Sequence, residues 1–262
     1  YVCATCDKYY VADKALVYDG TKLPQLAKNG DPTITVTNGE YVVKAGNEKS
    51  QYMLYFPSNS KGHADMFTDF TGAKNSLGVL SFKFKAGNVT DNIRFIVMTA
   101  RDNPNWDANG GWNGCSMDIL TVKPNGDGTY TVNGNNITGN TFATVSGNEW
   151  VDVKMFMQFS PEGVLSISYY INDAFVNTYT YDLLNPEAKK TIKNLDINNF
   201  YMCGWTDPGT GFAIDDMFFG YQKNSEWLFD EHEHRWVDAD CENPRHCPAC
   251  GLVDETAPAL GH

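Results

Sequence analysis

The sequence predicts an all-β protein, a sandwich of two sheets, and two observations predict it. Glycine (23), tyrosine (14) and phenylalanine (15) are abundant among the 262 residues, so turn formers and strand formers dominate together. Between Lys14 and Tyr221, roughly a dozen short apolar or alternating runs are separated by clusters of Gly, Asn, Asp and Pro. The charge balance narrows the partners. Lys+Arg is 20 against Asp+Glu 32, a net charge of −12, whereas phosphate binding requires a basic footprint. Nucleic acid and an anionic membrane surface are therefore not expected as partners. No apolar run reaches the ~20 residues needed to cross a bilayer, so membrane insertion is not expected either.

The elements follow in order. Thr33–Thr37 and Tyr41–Lys44 flank Asn38-Gly39, a dipeptide suited to a two-residue hairpin turn. Gln51–Phe56 is the next strand. Val79–Lys85 alternates apolar and polar residues, as a strand with one wet face should, while Ile93–Thr99 is nearly all apolar and suits a central strand. Met117–Val122 and Thr129–Val132 flank Asn125-Gly126-Asp127-Gly128, again a hairpin. In Trp150–Phe159, Val151, Val153, Met155 and Met157 share one face; Asp152, Lys154, Phe156 and Gln158 share the other. Val164–Ile171 and Phe175–Tyr181 flank Asn172-Asp173, and Phe200–Trp205 and Phe212–Gly220 close the series. Pro186–Lys190 alone reads as mildly helical.

Three segments carry a resemblance: Trp150–Lys154 (WVDVK), Ser168–Asp173 (SYYIND) and the terminal strand Phe212–Gly220 (FAIDDMFFG). Together they resemble the concanavalin-like jelly roll of lectins, laminin-G-like domains and many carbohydrate-binding modules. The resemblance departs at Asp173, where the family usually has Gly; Asp also tolerates turn conformations. It implies a jelly-roll β-sandwich over residues 14–225, and a choice between binding a glycan and cleaving one.

For cleavage, a retaining glycanase of this fold would carry Glu-x-Asp-x-x-Glu, two carboxylates ~5 Å apart on one strand face. No such motif occurs, and Glu149 and Asp152 have the wrong spacing. The sandwich's one histidine, His63, stands in a loop-like stretch with Arg94 and Arg101 downstream. No catalytic residue is therefore expected, and the chain reads as a non-enzyme.

Binding has better candidates. Trp106 and Trp112 stand in the polar loop DNPNWDANGGWNG, and Trp205 in GWTDPGTG. Indoles stack on the apolar C–H faces of sugars, while Asp102 and Asp107, with Asn105 and Asn109, are placed to take hydroxyls. The competing reading is that each tryptophan caps the core. Asp215 and Asp216 alternate across the last strand, one facing in and the other out. By resemblance to jelly-roll modules, Asp215 is a candidate ligand for calcium, a hard cation that takes oxygen donors; the competing reading is an ion pair. Cys115 and Cys203 either form a disulfide or fill core space as thiols.

The last stretch, from His234 to His262, concentrates three cysteines and three histidines. Cys247 and Cys250 form a Cys-x2-Cys-Gly turn, with Cys241 and His234 upstream. Three thiolates and an imidazole make a closed tetrahedral shell, so a structural zinc is expected at His234, Cys241, Cys247 and Cys250. A disulfide does not explain three cysteines or the histidines. The segment resembles a short tandem module of large surface proteins from gut Firmicutes, through His234, Trp236, Cys241, Pro244, Cys247, Cys250, Gly251 and the closing Ala259-Leu260-Gly261-His262. In such arrays the closing histidine opens the next copy. At the other end Cys3 and Cys6 form another Cys-x2-Cys pair. They read either as half of a second zinc shell, closed by His262 or another histidine if the termini meet, or as a local disulfide.

The expected organisation is a partial Cys-x2-Cys element (1–13), the jelly roll (14–225) and a small zinc-binding module (226–262). The expected function is non-catalytic binding of a glycan or host-surface ligand through end loops, at the cell surface or outside the cell, with zinc and calcium as the candidate ions. The alternative is a spacer or filament subunit contacting neighbouring modules of the same polypeptide or assembly.

Overall fold

The computed structural model describes residues 14–18, 25–29, 31–56, 76–98, 116–134, 141–159, 164–182 and 199–222, with positions 237–239, 241, 245 and 258. The described elements are all strands. The first eight are β1 (Lys14–Tyr18), β2 (Gln25–Asn29), β3 (Thr33–Thr37), β4 (Glu40–Lys44), β5 (Ser50–Phe56), β6 (Ser76–Lys85), β7 (Ile93–Met98) and β8 (Ser116–Pro124). The rest are β9 (Thr129–Asn133), β10 (Thr141–Ser146), β11 (Val151–Phe159), β12 (Val164–Ile171), β13 (Ala174–Asp182), β14 (Asn199–Thr206) and β15 (Gly211–Gln222).

They form two antiparallel sheets. One has eight strands in the order β13-β12-β11-β6-β15-β4-β3, with β1 beside β15; the other has seven, β10-β9-β8-β7-β14-β5-β2. This is the concanavalin-like jelly-roll sandwich the sequence predicts. β15 is long enough to serve two neighbours on one side. Gly211–Ile214 pair with β4, and Met217–Tyr221 pair with β1.

Inward residues of both sheets make one core. Burial along β11 alternates as its sequence demands: Val151, Val153, Met155 and Met157 are buried, and the residues between them are half-buried. The apolar β7 lies in the middle of its sheet, where neither face is left to solvent over Phe95–Val97. Phe82 of β6 stacks on Phe95 of β7 with ring centroids 4.6 Å apart, and Tyr52 of β5 meets Phe212 of β15 at 5.0 Å, so aromatic pairs join the sheets. Tyr169 of β12 reaches across to donate its hydroxyl to Ile119 O in β8 (2.8 Å). Each such large side chain contributes about 1.5–3 kcal/mol by leaving water.

The hairpin turns behave as the sequence requires. Asn38 and Gly39 both take positive φ (54° and 88°), the mirror-image turn that matches strand twist. Asn172 and Asp173 do the same (51° and 65°), so Asp replaces the usual Gly without changing the turn. The carboxylate of Asp173 then pairs with Lys154, and Asn172 Oδ1 accepts from the Asp152 amide (2.9 Å).

The alternation expected at Asp215-Asp216 does not hold. A bulge intervenes: Asp215 pairs with Lys83 and Phe218 with Ser81, and Asp216 takes a positive φ of 50°. Ile214, Met217 and Phe219 are buried, whereas Asp215 is half-buried and Asp216 exposed. The extra residue spares the core a carboxylate it could not solvate. Cys203 is a buried thiol, which favours the packing reading of that residue; Cys115 and the mildly helical Pro186–Lys190 lie outside the described residues. No helix among the described residues is long and apolar enough to cross a membrane.

Candidate ligand-binding face

β14 runs between β7 and β5 in the seven-stranded sheet, and alternation turns Tyr201, Cys203 and Trp205 to its outer face while Met202 enters the core. Tyr201, Cys203 and Ile96 are buried together, with Met53 packed against them. Trp205 is different, with 38% of its surface exposed. It pairs with Gln51 of β5, and the residue before it must be glycine. A Cβ on Gly204 would lie 2.4 Å from Asn92 O and 2.6 Å from Tyr52 Oη. The following turn is pinned by Thr90, which hydrogen-bonds the Asp207 carboxylate, and by Lys49, which lies 3.5 Å from Asp207 and 3.7 Å from Asp91.

Beside this row stands a charged pair. Arg94 lies opposite both Cys203 and Thr121, so its side chain shares the outer face. Its Nη2 and Nε donate to the two oxygens of Asp118 at 2.6 and 2.9 Å, a bidentate fork. The Asp118 side chain is 7% exposed and that of Arg94 40%. Burial, the largest single influence, works against the charged guanidinium, but the hydrogen bond to Asp118 and the charge interactions with Cys203, Asp118 and Tyr201 together outweigh it and raise the Arg94 pKa above its ordinary value. Thr121 is fully buried, and its hydroxyl has no hydrogen-bond partner among the described residues. Asn133, opposite Thr121, is likewise buried.

The face thus offers an exposed indole, an oriented guanidinium and the half-buried Gln51. Asp118 is the one acidic residue in the seven strands of this sheet.

Of the residues singled out from sequence, Trp205 lies on this face. Trp106, Trp112, Asp102 and Asp107 lie outside the described residues. The stretch that carries them leaves β7 at Met98 and rejoins at Ser116, which pair with each other, and Met98 pairs with Asn199. That is the opposite end of β14 from Trp205, ~20 Å away at strand rise. Sequence reasoning assigned no ligand role to Arg94, Asp118, Gln51 or Thr121. The usable signal was a charge interrupting each of two apolar strands, IRFIVM and MDILTV.

Asp215, the calcium candidate, accepts a hydrogen bond from the Asp216 amide (2.8 Å), and the neighbouring Asp216 pairs with Lys83 at 2.7 Å. Among the described residues no group of three or more His, Cys, Asp or Glu side chains gathers to hold a metal ion. Cys241 is an exposed thiol. His234, Cys247, Cys250, Cys3, Cys6 and His262 lie outside the described residues.

The two antiparallel sheets and their strand order define an all-β jelly-roll sandwich. No family model and no curated protein sequence matches the chain. Among solved structures, it is similar to a Bacillus subtilis protein of unknown function with a galectin-like fold (8% identity, TM-score 0.48), covering 82% of this chain and 100% of that one. It is also similar to the carbohydrate recognition domain of Emp47p (12%, TM-score 0.42, 79% and 94% covered). A laminarinase from Flavobacterium sp. UMI-01 is a third (14%, TM-score 0.41, 72% and 81% covered).

Proposed function

We propose that the sandwich is a non-catalytic glycan-binding module acting outside the cell, with its site on the outer face of the seven-stranded sheet. The observation that carries this reading is Trp205, exposed on the same face as the Arg94–Asp118 fork. Trp205 and Arg94 are diagonal neighbours across β14 and β7, ~7 Å apart at Cα. An indole takes the C–H face of a pyranose, and the guanidinium edge, Gln51 and backbone groups take its hydroxyls. The non-catalytic part of the proposal starts from the sequence, which lacks the Glu-x-Asp-x-x-Glu pattern that would set two carboxylates ~5 Å apart for retaining hydrolysis.

The test is retention on a polysaccharide array. Trp205→Ala should lose retention while keeping the wild-type unfolding midpoint. Trp106→Ala and Trp112→Ala should weaken it if the 99–115 stretch completes the site. A wild-type chain that retains no glycan, or one that releases reducing sugar, sinks the reading. In the first case the spacer role replaces it.

Zinc belongs to the same proposal. Lys14 and Tyr221 pair, so the two ends of the described sandwich lie side by side, which supports a shared role for Cys3, Cys6 and the C-terminal histidines. Fewer than one zinc per chain in elemental analysis would remove the ion at His234, Cys241, Cys247 and Cys250.

A further inference from the structure

A second depression lies on the opposite sheet. It encloses about 370 Å³ where β4, β15 and β6 run together. Its origin is in the side chains. Val42, Gly211 and Ala213 occupy adjacent outer positions and are small, so the sheet surface sinks between the longer residues around them. The rim is charged, with Lys44 and Glu40 on β4 and Lys85 on β6. One end is closed by two turns locked together. Asn88 Nδ2 donates to Gly209 O (3.2 Å), and the Gly211 amide donates to Asn88 Oδ1 (3.0 Å). Gly87 makes that closure possible: its φ is +66°, and a Cβ there would meet Gly211 O at 2.1 Å.

We infer that this pocket binds one anionic pyranose unit, a sugar ring bearing a carboxylate or a sulfate. The two ammonium groups supply the anion contact. Lys85 is already oriented, with Nζ 4.6 Å from the Trp150 ring centroid and 3.9 Å from Glu40 Oε2. Lys44 is exposed and enters no ion pair among the described residues. Two lysines against one glutamate leave the rim at +1 in a chain whose net charge is −12, so an anion is drawn to this spot against the overall field. Glu40 accepts from ring hydroxyls, and the Asn88 amide closes the end. The apolar floor of Val42 and Ala213 suits a C–H face. Binding here does not depend on the Trp205 face, which belongs to the other sheet.

The experiment is an amide-resolved NMR titration of the intact chain with glucuronate, glucose 6-sulfate, glucose and inorganic sulfate. The two anionic sugars should give saturable shifts at Gly87, Asn88 and Gly211 that weaken as salt is raised. Glucose should not, and inorganic sulfate should bind more weakly than glucose 6-sulfate. Preference between the two anionic sugars identifies the carboxylate or the sulfate as the natural group. Lys44→Gln, at an exposed position that folding does not need, should weaken binding about tenfold by loss of one charge-assisted contact. Trp205→Ala should leave these shifts intact. Equal shifts with glucose, equal affinity for bare sulfate, or an unaffected Lys44→Gln variant would each overturn the inference.

Discussion

The outer faces of the two sheets handle charge in opposite ways. On the seven-stranded sheet the strands carry one acidic residue, Asp118, almost buried and held by both donors of Arg94. Around it Ile96, Tyr201 and Cys203 are also buried. On the eight-stranded sheet charges stand in solvent and alternate in sign. Lys83 pairs with Asp216, Lys154 with Asp173 and Lys85 with Glu40, and Asp152 sits among the first two pairs. Further along that face Phe156, Tyr170 and Phe175 meet edge to face at 5.5 Å per pair, beside hydroxyl rungs such as Ser168–Thr178. A covered ion pair is rigid and costly to break, and a solvated one is cheap and replaceable. The seven-stranded sheet therefore presents its one charge pair in a fixed geometry, which is why the proposed site is placed there. On the reading proposed above, binding on the checkered face is confined to the pocket at its end.

The largest effect expected from this contrast is at Asp118. Asp118→Ala leaves a half-buried guanidinium without its carboxylate, and should lower stability by about 2 kcal/mol, discounted for the exposed part of Arg94. Denaturant unfolding measures it, and a double cycle with Arg94→Ala should recover most of the loss. The matching change on the other face is smaller. Lys83→Ala breaks a pair whose side chains are 41% and 60% exposed, and should cost about 0.5 kcal/mol or less, vanishing in high salt. If the two variants lose equal stability, the distinction between the faces fails.

Much of this architecture was legible because period and turn chemistry agreed. β11 announced its inward face residue by residue, and Asn38-Gly39 and Asn172-Asp173 announced their turns. β1, β2 and β10 were not singled out: KALVY, QLAKN and TFATVS are short, and each pairs with a single neighbouring strand, where burial imposes no strict pattern. The bulge at Asp216 was invisible for another reason. A one-residue insertion changes which face each residue serves, and it shows only in the register of β15 against β6. The site was legible in part. Trp205 stood out as an aromatic in a turn-rich segment, but the Arg94–Asp118 fork joins positions from two strands, and register fixes that meeting. The pocket depends on two strands, β4 and β15, placing small residues side by side, which no single segment reveals.

The smallest effect tests the eight-stranded face by its titration. Burial raises the Asp152 pKa above the ordinary 3.8; Lys154 opposes the shift, Asp173 adds to it, and Lys83 and Asp216 follow with opposite signs. A carboxyl whose folded pKa is raised binds its proton more tightly when folded than when unfolded. Its contribution is therefore most favourable below the unfolded value and is lost as pH rises from there through the folded pKa, so ionised Asp152 weakens the fold at neutral pH. Asp152→Asn removes that loss. Thermal unfolding of the variant should coincide with wild type at about pH 3 and separate as the pH climbs past the carboxyl range. The variant should end a few tenths of a kcal/mol more stable at neutrality, a gain kept small by solvent and by the lost attraction of Lys154 and Lys83. A variant less stable than wild type at neutral pH would mean that the lysines, and not burial, govern this face.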